Sequence, residues 1–118
     1  AADAMTDAEK SEAQALGLIG LKDESRTVQV AAGRALCLLG KPQSALQSLA
    51  GVLRDGEQWE RLHAAIVLDE IDEMARPLIA EMHRVLTPRA ELYARGKYTV
   101  RVINRALNQL ENTTRTVP

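Results

Sequence analysis

Phenylalanine is absent from this sequence, and tryptophan occurs once and tyrosine twice among its 118 residues. No aromatic cluster can therefore fill a core, and no aromatic series can stack nucleobases. A single cysteine, Cys37, excludes a disulfide within the chain and any multi-cysteine zinc site. Its neighbours Leu36, Leu38 and Leu39 place it in an apolar helix as a buried, inert thiol. The two histidines, His63 and His83, lack the H-x-x-x-H spacing of a helical zinc pair and read as packing or surface residues. There is no glycine-rich phosphate loop and no nucleophile, base and acid in a recognisable order. No uninterrupted apolar run approaches the roughly 20 residues that span a bilayer, and the acidic start lacks the basic-then-apolar pattern of a signal peptide. The expectation is a segment with no catalytic residues, no metal, no cofactor and no membrane contact.

What is present is aliphatic. Apolar residues make up 46% of the chain, dominated by alanine, leucine, valine and isoleucine, the composition of closely packed helical layers. Net charge is only −1, yet it is unevenly spread. Residues 1–24 carry two basic and six acidic side chains, and residues 88–118 carry six basic and two acidic. So balanced a total gives no general attraction to nucleic acid or an anionic membrane.

The strongest signal is a repeat. The apolar quartet Ala32, Ala35, Leu36 and Leu39 recurs 32 residues later as Ala64, Val67, Leu68 and Ile71. Both have the i, i+3, i+4, i+7 spacing that lines one side of an α-helix. Leu53-Arg54-Asp55 echoes Leu21-Lys22-Asp23, and Leu62 echoes Val30. A third quartet, Ile103, Ala106, Leu107 and Leu110, follows 39 residues after the second.

These patterns predict an all-α chain, a short α-α solenoid of about six main helices in one domain. Residues 1–22 form a partial repeat, 23–55 a first repeat, 56–87 a second, and 88–118 an insertion, a capping helix and a tail. The first helix covers Asp7 to Leu21, with Thr6 and Glu9 at capping-box spacing. The second runs from the N-cap Ser25 to Leu39, closed by a left-handed Gly40 ahead of Pro42. The third spans Gln43 to Arg54. The fourth spans Glu57 to Ile71 and turns a corner at Asp72-Glu73, where Asp72 caps the next helix, Met74 to Leu86. Pro77 is tolerated there only if the α-helix begins near Arg76 or its first turn is distorted. Thr87-Pro88 stops it, Gly96 breaks an insertion of about seven residues relative to the period, and a last helix runs from Tyr98 to Glu111 before a frayed tail, Asn112 to Pro118. Each unit hides its apolar stripe only against neighbours, and half-units at both ends suggest a piece of a larger protein.

Val28-Gln29-Val30-Ala31-Ala32-Gly33-Arg34-Ala35-Leu36-Cys37-Leu38-Leu39-Gly40 resembles the first helix of HEAT-like (armadillo-like) repeats, with the pattern V-R-x-A-A-x-A-L-x-x-L-G. The short period is similar to that of the compact phycobilisome-lyase type. The second copy departs from the pattern at Asp72, where glycine is usual, and at Trp59-Glu60. A narrower resemblance joins Trp59 to Glu73 and Tyr98 to Leu110 to the helical C-terminal extension of some bacterial sulfatases, notably planctomycete ones. That resemblance implies a parent protein that hydrolyses sulfate esters on polysaccharides outside the cytoplasm, in a separate upstream catalytic domain. The sulfatase C-x-P-S-R motif is not here, since Cys37 is followed by Leu38-Leu39-Gly40-Lys41.

The functional expectation is a noncatalytic interaction or scaffold module that contacts a protein domain, such as an upstream catalytic domain of the same chain. The alternatives are a free-standing HEAT-like adaptor or lyase-like protein, and a nucleic-acid binder using Lys97, Arg101 and Arg105. Candidate interface residues are Trp59, Arg61, Arg84, Arg101 and Arg105. The acidic run Asp69, Glu70, Asp72 and Glu73 invites a cation, but a helix corner accounts for Asp72 and Glu73 without one. Asn112-Thr113-Thr114 matches a glycosylation triplet of the kind that chance supplies.

Overall fold

Side chains that cap, turn or block helices account for most of the boundaries in the computed structural model. It describes residues 4–86 and 90–117, with the side chains of 90–97 left aside. Its helices are α1 (Asp7–Gly20), α2 (Arg26–Leu38), α3 (Gln43–Asp55), α4 (Gln58–Glu70), a 3₁₀ segment (Asp72–Leu78), α5 (Ile79–Leu86) and α6 (Ala90–Glu111). No strand occurs among the described residues.

α1 begins with the expected capping box. The Glu9 amide donates to Thr6 Oγ1 at 3.2 Å, and the Thr6 amide donates to the Glu9 carboxylate at 3.1 Å. These bonds hold the Glu9 carboxyl below its ordinary range. At α2, Ser25 Oγ accepts from the Val28 amide. The helix closes on Gly40 at φ 76°, with Lys41 N donating to Leu36 O and Gly40 N to Cys37 O. This is the Schellman arrangement, and the left-handed residue in it favours glycine.

One period later the same position is Asp72, and it takes the same left-handed conformation, φ 54°. Its side chain makes no cap bond, so the expected Asp72 cap is absent. Aspartate serves here as one of the few side chains that tolerate this region. The 3₁₀ segment carries the chain across Pro77, and the α-helix starts only at Ile79. A tighter turn thus accommodates the missing N–H and the ring.

α5 thus begins at Ile79 rather than at Met74 or near Arg76, and two further boundaries differ from expectation. α6 starts at Ala90 and runs through Gly96 rather than beginning at Tyr98. An interior glycine costs only about 1 kcal/mol, too little to end a helix by itself. Nor is the tail frayed. Asn112 turns left-handed at φ 54°, and the chain folds back so that Asn104 Nδ2 and Asn108 Nδ2 both donate to Arg115 O at 2.8 Å. The Arg115 amide returns a bond to Asn108 Oδ1, and Val117 packs against the core. The stop expected at Thr87-Pro88 lies outside the described residues.

The helices form a slab of 47 × 32 × 19 Å. Its thin dimension holds two helix layers, since packed helices lie 8–10 Å apart. The radius of gyration, 14.6 Å, exceeds the roughly 13.5 Å of a compact domain of this length. α2 packs on α1, α3 and α4, and α4 packs on α2, α3 and α6, so α4 occupies the middle. The second and third quartets are buried throughout. The first is not: Leu36 is buried, Ala32 and Leu39 are half-buried, and Ala35 is exposed. Among the described residues α1 alone lies beyond α2 in the stack, and its Gly17 and Gly20 stand opposite Leu36 and Ala32.

Candidate interaction site

The five sequence-selected residues fall into three places. Trp59, in the first turn of α4, is 63% exposed. Arg61, two positions on, points to the other side of the helix and is buried. Its Nε donates to the Leu53 carbonyl at 3.1 Å, meeting one of the carbonyls left open at the end of α3. Burial lowers the Arg61 pKa, because desolvation disfavours its charged form.

Arg61 and Arg84 meet in one cleft between α3, α4 and α5, which Arg54 and Glu81 also line. Arg84 Nη1 pairs with Glu81 at 2.6 Å and Arg54 Nε with Asp55 at 3.0 Å. Arg54 was not among the sequence candidates. Its repeat equivalence to Lys22 marks it as a conserved feature of the period within this chain, but not as a neighbour of Arg84.

Arg101 and Arg105 lie across the molecule on α6 and line a shallow depression with Ile66, Asp69 and Val102. Arg105 Nη2 reaches Asp69 Oδ2 at 3.0 Å, and the Arg101 guanidinium sits 5.9 Å from the Tyr98 ring centroid. Asp69 is nearly buried, and its Oδ1 has no hydrogen-bond partner among the described residues. The Lys97 side chain lies outside the described residues, so the three-residue basic stripe is seen only at Arg101 and Arg105.

The acidic run is divided among arginines. Glu70 takes Arg34 of α2 in a two-pronged pair at 2.6 and 3.3 Å, Asp69 takes Arg105, and Glu73 takes Arg76 at 2.8 and 2.9 Å. The Arg76 hydrogen bond holds the Glu73 carboxyl low, and the Glu70 bond raises Arg34. Arg76 Nη2 also donates to Leu110 O, tying the corner to the end of α6. No group of three metal-ligating side chains occurs among the described residues.

His63 is exposed on α4, while His83 of α5 meets both carboxylate oxygens of Glu111 on α6 at 2.9 and 3.0 Å. The His83 bond lowers the Glu111 pKa, and the charges of His83 and Arg115 add to it against some desolvation. A carboxyl depressed in the folded state stabilises the fold above its unfolded value, near 4.5. That contribution is lost as pH falls through the lower folded value. Urea midpoints measured between neutral pH and strong acid should therefore drop less steeply below about pH 4.5 in Glu111→Gln than in the unmodified chain. Equal slopes would remove the pair from the account.

Sequence reasoning missed the exposed apolar side chains at the first end of the stack. Leu16 is 64% and Ile19 67% exposed, both on α1. A signal for them exists: Leu16, Leu18, Ile19 and Leu21 surround α1 rather than forming one stripe, as in a helix meant to be covered on more than one side. Among the described residues no helix is long and apolar enough to cross a membrane. No family model, curated protein or solved structure matches this chain.

Proposed function

We propose that this chain is a noncatalytic helical-repeat module that holds and positions another protein domain, which docks on the outer side of α1. The observation that carries this reading is the exposure of Leu16 and Ile19. Burying a large aliphatic side chain is worth about 1.5–3 kcal/mol. Two together supply a contact whose gross gain can meet part of the cost of association. A HEAT-like ancestry is supported by the 32-residue period and by the left-handed closure of α2 at Gly40. The narrower reading, an accessory region of a sulfatase, rests on the likeness of residues 59–73 and 98–110 described above. In it the docked domain is the catalytic domain. Nucleic-acid binding is disfavoured because Arg105 is already paired with Asp69 and the chain is net negative.

A photo-crosslinking residue placed at position 19 tests the proposal in the native source. It should give one discrete protein adduct, abolished by Leu16→Asp, while the same probe at the exposed position 47 gives none. Indistinguishable adduct patterns from the two positions would refute it.

A further inference from the structure

We propose that the cleft between α3, α4 and α5 is a binding site for a small oxyanion, a phosphate or carboxylate group held by Arg61 and Arg84. The cleft has a volume of about 150 Å³ and apolar walls at Ala50, Leu53 and Val85. That is room for one such group, whereas drug-sized ligands occupy roughly 300–1,000 Å³.

Arg61 is the reason for assigning a ligand. It is 7% exposed and, unlike Arg34, Arg76 and Arg105, it meets no carboxylate at ion-pair distance among the described residues. Its one hydrogen bond uses only Nε of five guanidinium donors, and the two Nη nitrogens are left open to the cleft with no carboxylate beside them among the described residues. The structural task of that bond does not require a charge. One period earlier Gln29 makes a comparable but shorter backward reach, its Nε2 donating at 2.7 Å to Asp23 O, two residues on from the position equivalent to Leu53, and ties the start of α2 to the segment after α1. Val52 stands one period before Arg84, and Lys22 one period before Arg54. The grouping of three guanidinium groups is therefore particular to the second unit. Each of Arg54 and Arg84 has one nitrogen on a neighbouring carboxylate and further N–H groups beyond it. Among the described residues Glu81 is the one carboxylate lining the cleft, and Arg84 balances it. Guanidinium groups suit oxyanions because paired N–H donors match paired oxygens.

The test is a titration of the ¹⁵N-labelled chain with sodium phosphate and, separately, sodium glutarate, at ionic strength held constant with sodium chloride. Saturable shifts are expected at the Arg61 and Arg84 side-chain N–H signals and at the amides of residues 53–61. Arg61→Gln, which keeps a side-chain N–H donor as Gln29 has, and the surface change Arg84→Gln should each weaken binding at least about tenfold, while Arg34→Gln leaves it unchanged. Saturation by phosphate identifies a tetrahedral anion, and saturation by glutarate alone identifies an acidic side chain as the natural occupant. Shifts that stay linear with both salts, or equal affinity in Arg84→Gln, would overturn the site. Neither result touches the docking proposal, which concerns the far end of the stack.

Discussion

Leu68→Ala is expected to lower the unfolding free energy by about 2–5 kcal/mol, with the urea midpoint falling accordingly and the m-value unchanged. Leu68 is fully buried on α4, the helix that packs against α2, α3 and α6. Removing its three outer carbons forfeits about 0.8 kcal/mol each in transfer free energy. Neighbours on several sides cannot all move in, so a cavity term adds to the loss, at about 24 cal/mol per Å³ left empty. Against a total stability of about 5–15 kcal/mol for a domain of this kind, the change is a large fraction. Leu38→Ala is the matched control. That leucine is 51% exposed, and its loss should stay within about 0.5 kcal/mol. A Leu68→Ala effect as small as that of Leu38→Ala would mean that α4 is not the middle of the stack.

Gly17→Val is expected to separate α1 from α2. A Cβ at position 17 would stand 2.8 Å from both Cγ and Cδ2 of Leu36, which is itself 1% exposed and has nowhere to turn. Gly20 is tighter still, 2.7 Å from the Ala32 Cβ, an atom fixed to its backbone. Two effects compete. Replacing a helical glycine gains up to about 1 kcal/mol in backbone entropy, but overpacking of a close contact costs about 1–3 kcal/mol, and valine adds two methyls beyond the Cβ. The steric loss wins, and α1 relieves it by undocking, because among the described residues its extensive packing is on α2 alone. Amides of α1 should then exchange nearly as fast as in an unfolded chain while those of α4 remain protected. Gly51→Ala in α3 gives the opposite sign. There the nearest atom to an added Cβ is Arg54 Nη2 at 3.8 Å, so the entropy gain stands and the protein should be stabilised by about 0.5–1 kcal/mol.

The parts of this fold that were legible in the sequence are those decided within one turn of chain. Thr6 with Glu9, Ser25, and Gly40 ahead of Pro42 act on backbone groups two to five residues away, and each sits where its chemistry implies. Distortion at Pro77 was readable for the same reason. The misread points depend on partners far along the chain. Asp72 takes the left-handed turn instead of capping, matching Gly40 one period earlier in the sign of φ, and aspartate is among the few side chains that accept it. Asn104 and Asn108 look like ordinary polar positions until Arg115 O comes back to meet them. Gly96 carries a penalty too small to stop a packed helix.

The candidate site was legible only in part. Spacing placed Arg61 and Trp59 in the first turns of α4, but the side each faces follows from how α4 is rotated against α3 and α6. Arg61 and Arg84 therefore share a cleft that no motif announces, while Arg101 and Arg105 lie elsewhere. The acidic run dissolves into ion pairs because arginines from α2, α6 and the 3₁₀ segment reach it. The apolar surface of α1 was missed because the repeat pattern directs attention to the inward stripe alone.

Native-state hydrogen exchange on the isolated, unmodified chain tests the central claim most directly, that of a stack filled at α4 and uncovered at its first end. The slowest-exchanging amides should belong to α4 and the segments of α3 and α6 against it, with α1 opening at a far lower free energy. Uniform protection from α1 through α6 would contradict it, since a first helix held as firmly as the middle one would have no unmet surface to offer a partner.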